Sequence, residues 1–268
     1  MLLHNKNAII YGAGGSIGEA LAKAFAHAGA RVFLTGRSLQ SVQKVADEIL
    51  AAGGSAEADQ VDALDEKAIN DHIARIVQKA GKVDISFNAI DLDDKQGTAL
   101  IAMAVNDFTR PINIAVQTQF LTATAAGRVM KNQGSGVILS LTATPAGIAY
   151  PLTGGFGIAC GAMEIFSRQL ASEVGVYGIR VISIRSAGSP DSKVFEDAIA
   201  SNPEGMATIL KTMEDDTMLK KLPLMIDITN TAVFLASDMA GNITGVTIDV
   251  TGGTISGINY RMGPVPFN

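Results

Sequence analysis

Gly12, Gly15 and Gly18 recur every third residue within Tyr11-Gly12-Ala13-Gly14-Gly15-Ser16-Ile17-Gly18. The segment lies between an apolar run at residues 6–11 and a helical pattern at residues 16–28 that sets Ile17, Leu21, Ala24 and Phe25 on one face. Glycines between a strand and a helix let the backbone turn sharply and approach a pyrophosphate, whose charge is favoured by free N–H groups and the helix dipole. The chemistry implied is dinucleotide binding, with Gly12, Gly14, Gly15, Ser16, Ile17 and Gly18 at the phosphates. A second group bears on which dinucleotide. After the next strand, Thr35-Gly36-Arg37-Ser38 offers a guanidinium and no carboxylate. A carboxylate there would bond ribose hydroxyls, whereas Arg37 suits a 2′-phosphate, so NADP(H) is expected over NAD(H).

The elements that must hold these groups alternate. Strands are predicted at residues 6–11, 31–35, 55–61, 83–87, 136–141, 180–184 and 247–250. Helices are predicted at 16–28, 38–51, 65–79, 111–130, 152–174 and 228–237, the second opened by a Ser38 N-cap. Right-handed crossovers leave such an alternation few topologies. The expected fold is a three-layer, doubly wound Rossmann fold with a mostly parallel sheet of seven strands, formed by residues 1–268 as one domain. Residues 189–222 are the least regular and read as a helical excursion over a substrate cleft or as a surface helix pair.

Composition excludes several classes. With 21 basic and 26 acidic residues the chain has no electrostatic footprint for nucleic acid or an anionic membrane. Residues 132–163 carry no charge, but Pro145, Pro151 and seven glycines break the stretch into strand, loop and helix start rather than a membrane span. One cysteine, Cys160, and no secretory pattern at the start fit a reducing cytoplasm. His4, His27 and His72 have no metal-ligand spacing, so no metal is expected.

Further motifs carry a resemblance to the classical short-chain dehydrogenase/reductase family over nearly the whole chain. The glycine segment is similar to the family's TGxxxGIG turn, with Tyr11 in place of Thr. Asp62-Ala63-Leu64-Asp65-Glu66 resembles the segment whose first Asp contacts adenine, and Phe87-Asn88-Ala89-Ile90 a degraded NNAG. Tyr177-Gly178-Ile179-Arg180-Val181, Phe234-Leu235-Ala236-Ser237-Asp238, Ile243-Thr244-Gly245 and Gly252-Gly253 match later signatures. The resemblance adds Asp62, Asn88 and Ala89 to the cofactor residues. It also implies a catalytic Asn, Ser, Tyr and Lys, whose positions here hold Ala115, Ala143, Phe156 and Cys160. A phenyl ring supplies no proton, so the ordinary carbonyl reduction is not expected.

Replacement donors would come from Thr142, Thr144, Tyr150, Thr153 or Cys160, with Tyr150 and Cys160 foremost in the block of polar groups. Strand alternation would point Thr142 and Thr144 away from the side that Ala143 faces. The expected function is an NADP(H)-binding oxidoreductase with a non-standard site for an uncharged, hydrophobic carbonyl or enone. The alternative is a catalytically silent dinucleotide-binding protein, a sensor or an inactive subunit. The helices at 111–130 and 152–174 resemble the family's oligomer helices, implying a homodimer or homotetramer, or a mixed assembly. The tail from Tyr260 to Asn268, with two prolines, is expected to fray or to dock on a neighbouring subunit.

Overall fold

In the computed structural model, which describes residues 1–256, seven parallel strands form one sheet. They are β1 (Asn7–Tyr11), β2 (Arg31–Gly36), β3 (Ser55–Gln60), β4 (Ile85–Asn88), β5 (Gly136–Ala143), β6 (Ile179–Ser186) and β7 (Val246–Val250). Their order across the sheet is β3-β2-β1-β4-β5-β6-β7, so the winding reverses between β1 and β4. That reversal opens a crevice at the carboxyl ends of those two strands.

The helices are α1 (Ser16–His27), α2 (Leu39–Ala51), α3 (Glu66–Ala80), α4 (Val105–Gln133), α5 (Phe156–Val174), α6 (Lys193–Ser201), α7 (Pro203–Asp215) and α8 (Met225–Ala236). Strand alternation splits the core in two. Ala8 and Ile10 of β1 pack with Leu21 of α1, Val42 of α2 and Ile228 of α8, whereas Ile9 and Tyr11 join Ile69 of α3, Ala126 of α4 and Leu170 of α5. Both faces are thereby covered, and every residue of β1 is buried, as in a central parallel strand.

Local chemistry sets the helix ends. Ser38 Oγ accepts from Ser41 N at 3.3 Å to cap α2, and Asp65 Oδ1 accepts from Ala68 N at 3.0 Å to cap α3. Gly134, at φ 71°, closes α4 in the left-handed conformation that glycine adopts without a Cβ penalty.

The structure revises several expected boundaries. The fourth helix starts at Val105, ahead of the expected position 111, and carries Pro111 in its interior. Proline reads as a first-turn residue, but Gly155 packs so tightly on the extra turn that a Cβ there would lie 2.0 Å from Phe108 O. The next helix starts at Phe156, not at 152, because Leu152 takes φ 66°. β4 begins at Ile85 rather than 83, since Val83 N is bonded to Gln133 Oε1 at 2.9 Å instead of to a strand. The last helix runs Met225–Ala236, three residues earlier than position 228 at its start. Thr144 lies in a short 3₁₀ turn beyond β5, so the strand alternation invoked for Thr142 and Thr144 ends at Ala143. The uncharged stretch at 132–163 divides into the end of α4, β5, a turn and the first half of α5, and no helix among the described residues is long and apolar enough to cross a membrane. The tail beginning at Tyr260 lies outside the described residues.

Candidate functional site

The glycine turn stands at the mouth of the crevice, between β1 and α1. Gly12, at φ 80°, approaches the chain after β4 so closely that a Cβ would lie 2.5 Å from Ala89 O. At Gly18 a Cβ would lie 2.2 Å from Gly12 O, and at Gly14 one would lie 2.9 Å from Ser41 Cβ on α2. These three glycines let the loop, β4 and α2 converge. Gly15 is different: its nearest neighbour to a Cβ is Gly12 O at 3.6 Å, an ordinary contact, and its φ of −87° suits any residue. It is the N-cap of α1, and no side chain caps that helix. The first N–H groups of α1, at Ser16, Ile17 and Gly18, therefore point to the crevice as donors for an anion.

The remaining sequence-derived binding residues ring the same mouth. Arg37 is exposed at the end of β2, just before the Ser38 cap of α2, and its guanidinium has no hydrogen-bond or ion-pair partner among the described residues. Asp62 is exposed beyond β3, with Oδ1 accepting from Leu64 N at 3.0 Å. Asn88 is buried at the end of β4. Its Nδ2 donates to Thr118 Oγ1 and Thr122 Oγ1 at 3.4 and 3.5 Å, and its Oδ1 accepts from Ile90 N at 3.1 Å. Ala89 N bonds Tyr11 O at 3.0 Å, which locks the β4 exit against β1.

The four positions where the family resemblance implied catalytic groups converge beside this crevice. Ala115 of α4 and Phe156 of α5 belong to one apolar cluster with Leu92, Ala159 and Met163. Ala143 ends β5, and Cys160, one turn into α5, lies against its backbone. Burial pushes the Cys160 thiol up to about 12, partly offset by the Ala143 backbone amide, so the thiol stays protonated and unreactive at neutral pH. Tyr150 is half-buried in the turn before α5, where Thr153 Oγ1 donates to its carbonyl at 3.2 Å. Desolvation and then the Asp216 carboxylate at the end of α7 raise its pKa, which keeps a proton on the phenol.

Thr142 does not face a crevice. Thr142, Arg185 and Asp249 are register neighbours on β5, β6 and β7, so their side chains share one face of the sheet. Glu164 of α5 comes down onto this row. Arg185 Nε donates to Glu164 Oε1 at 2.9 Å and Arg185 Nη2 donates to Oε2, while Thr142 Oγ1 donates to Oε1 at 2.8 Å and Arg185 Nη1 to Asp249 Oδ1 at 2.9 Å. Sequence reasoning missed this network. The signal available was a Glu one turn after Cys160 and an Arg inside an otherwise apolar strand, each in a place where an unpaired charge is not tolerated. Among the described residues no group of three or more His, Cys, Asp or Glu side chains is placed to hold a metal.

Comparison with known proteins agrees with this architecture. Residues 12–254 match the enoyl-(acyl carrier protein) reductase family. The chain is 30% identical to the 7alpha-hydroxysteroid dehydrogenase of Escherichia coli (strain K12), over 96% of this chain and 97% of that protein. It is 31% identical to enoyl-[acyl-carrier-protein] reductase [NADH] 1 of Rhizobium meliloti (strain 1021), over 94% and 91% of the two chains. The crystal structure of a short-chain type dehydrogenase/reductase from Mycobacterium marinum superposes with a TM-score of 0.82 at 27% identity, covering 94% of this chain and 96% of that one.

Proposed function

Since the chain belongs to the short-chain dehydrogenase/reductase family, we propose that it binds NADP(H) and is an oxidoreductase with a non-standard site, acting on an uncharged, hydrophobic carbonyl or enone. The observation that carries this reading is the crevice mouth, where an uncapped α1 N-terminus, a glycine turn with open space at Gly15 and the unpartnered Arg37 guanidinium face one another without a carboxylate on β2. Ser16, Ile17 and Gly18 N–H groups would hold the pyrophosphate, Arg37 and the Ser38 end of α2 the 2′-phosphate, and Asp62, Asn88 and Ala89 the adenine side. One relative is named for NADH, so the argument for NADP(H) rests on Arg37 of this chain and not on kinship.

Bound there, the nicotinamide would supply hydride. The chain would have to stabilise the charge that develops on the substrate oxygen, which hydroxyl or backbone donors can do without an ionisable acid at position 156. Tyr150 fits that task best: it keeps its proton and stands in the turn between the crevice and α7. Cys160, buried against Ala143, does not reach the crevice as a donor.

A second reading has its own observation. Phe156 packs with Ala115 in an apolar cluster, which favours a silent dinucleotide-binding protein in which those positions fill space. In either case the exposed Val116, Phe120, Ile158 and Ile165 on α4 and α5 suit pairing with another copy or a related subunit, and a cytoplasmic site fits the lone thiol.

The test is calorimetric titration with NADPH and NADH, followed by NADPH oxidation against enones and ketones. NADPH binding with enone turnover is the expected result. Binding without turnover selects the silent reading, and no binding of either nucleotide overturns both.

A further inference from the structure

Neither α6 nor α7 buries a single residue, although both carry an apolar stripe. Phe195, Ala198 and Ile199 on α6 and Met206, Leu210 and Met213 on α7 are half-buried at helical spacing, so the stripes turn inward without entering a core. The pair is pinned at its base. Met225 N donates to Asp191 Oδ1 at 3.0 Å on one side, and Leu219 N donates to Gly252 O at 3.0 Å on the other.

Between those pins the stripes rest on one point. A Cβ on Gly188, two residues past β6, would lie 2.3 Å from Phe195 Cζ and 2.7 Å from Met213 Cε. The glycine therefore serves as the seat of the lid. Its place relative to the crevice follows from the sheet order. With the pyrophosphate at α1 and the adenine half over β2, the other half of a dinucleotide must extend over β4, β5 and β6, where Gly188 lies.

A second observation falls at the same edge. Ser189 Oγ and Thr251 Oγ1, on residues 5% and 1% exposed, have no hydrogen-bond partner among the described residues. A buried hydroxyl without a partner is a local cost of the seated arrangement. Lifting the lid would expose these groups to water or to a polar ligand.

We infer that Phe195 and Met213 form a latch that seats α6 and α7 on Gly188 and competes with the nicotinamide half of the dinucleotide for that end of the crevice. The inference rests on the dinucleotide-binding reading above. Apparent affinity for a ligand falls by the fraction of molecules competent to bind it, so loosening the latch raises affinity only for ligands that need the lid lifted.

The test compares NADPH with 2′-phospho-ADP-ribose, which lacks the nicotinamide, on the full chain and on F195A, M213A and the double variant. Affinity of the double variant for NADPH should rise roughly tenfold, with the single variants between, while affinity for the fragment should stay within about twofold. Hydrogen exchange at residues 193–215 should quicken by a similar factor without a change in α1. A parallel shift for both ligands, or none for NADPH while the fragment binds, overturns the competition and leaves the dinucleotide reading standing. If neither ligand binds any variant, the dinucleotide reading falls and the competition with it. Unchanged exchange in the lid overturns the latch in every case.

Discussion

Replacing Glu164 by Leu tests whether the row of charges beneath α5 holds the candidate site in place. The Glu164 and Arg185 side chains are 9% and 11% exposed, so the guanidinium left behind is poorly hydrated. Breaking a buried pair by removing one partner costs about 3–5 kcal/mol. Here Arg185 retains Asp249, which is 36% exposed and reaches water, so the lower end, about 3 kcal/mol, is expected. For 268 residues, an unfolding entropy of about 2.1 cal/mol/K per residue gives about 0.56 kcal/mol/K, and the melting temperature should fall by about 5 °C. Removing both charges together, in Glu164→Leu with Arg185→Met, should restore most of that loss, because an apolar pair of similar volume avoids the unpaired charge. Urea unfolding of the two single variants and the double variant closes the cycle. A loss below about 1 kcal/mol for Glu164→Leu, or a double variant as unstable as the sum of the singles, would refute the assignment of a coupled, desolvated network.

Other consequences follow from single groups. Arg37→Ala should weaken NADPH by about 1.5–3 kcal/mol, roughly 10- to 100-fold, and leave NADH unchanged, as read by calorimetry; equal losses for both would remove Arg37 from the 2′-phosphate. His72 is fully buried, and burial, against an opposing pull from Asp59 at 3.4 Å, lowers its pKa from 6.5 to about 4. The folded state thus binds this proton more weakly than the unfolded state does, so its contribution to stability is intact above pH 6.5 and lost as pH falls toward 4. About 2.5 pKa units correspond to about 3 kcal/mol, and the stability gap between wild type and His72→Leu should change by that much between pH 7 and pH 4. A constant gap across that range would show that His72 titrates normally. Cys160 should resist a maleimide in the native protein and react only on unfolding, since its protonated thiol is out of solvent; rapid native labelling would contradict its burial.

Legibility in the sequence followed the kind of force that set each feature. Strand order and layering were readable because β1, β2 and β6 are apolar runs between helices with clear caps, and parallel pairing is then nearly forced. The start of α4 was not, because Pro111 signals a helix beginning while the contact that extends the helix to Val105 is a tertiary one, from Gly155 to Phe108. The crevice residues Gly12, Gly18 and Arg37 were visible as types at a spacing. The network of Thr142, Glu164, Arg185 and Asp249 was invisible, since its members are as far apart in sequence as Thr142 and Asp249 and become neighbours only through the β5, β6, β7 register. Asp191, which clasps the amide of Met225, was hidden for the same reason.

The glycines that made the crevice legible do not all speak for a ligand. Gly12 and Gly18 are required by the turn itself, because a Cβ at either would strike backbone at 2.5 or 2.2 Å. Substituting them would disrupt folding and binding together and could not tell one cause from the other. Gly15 separates the two. Its φ of −87° and ψ of 161° are open to alanine, and the added methyl would meet only Gly12 O at 3.6 Å. As an N-cap, alanine is poorer than glycine by a fraction of a kcal/mol, so Gly15→Ala should cost less than about 1 kcal/mol of stability. The same methyl would project into the open mouth of the crevice, where a pyrophosphate must approach the α1 amides. NADPH affinity should then fall at least about tenfold, by the loss of about 1.4 kcal/mol or more from charge-assisted bonds held too far away. Urea unfolding and NADPH titration of the one variant give both numbers. Unchanged stability with unchanged affinity would mean that no phosphate approaches α1 at Gly15, and the dinucleotide would have to be sought elsewhere or given up.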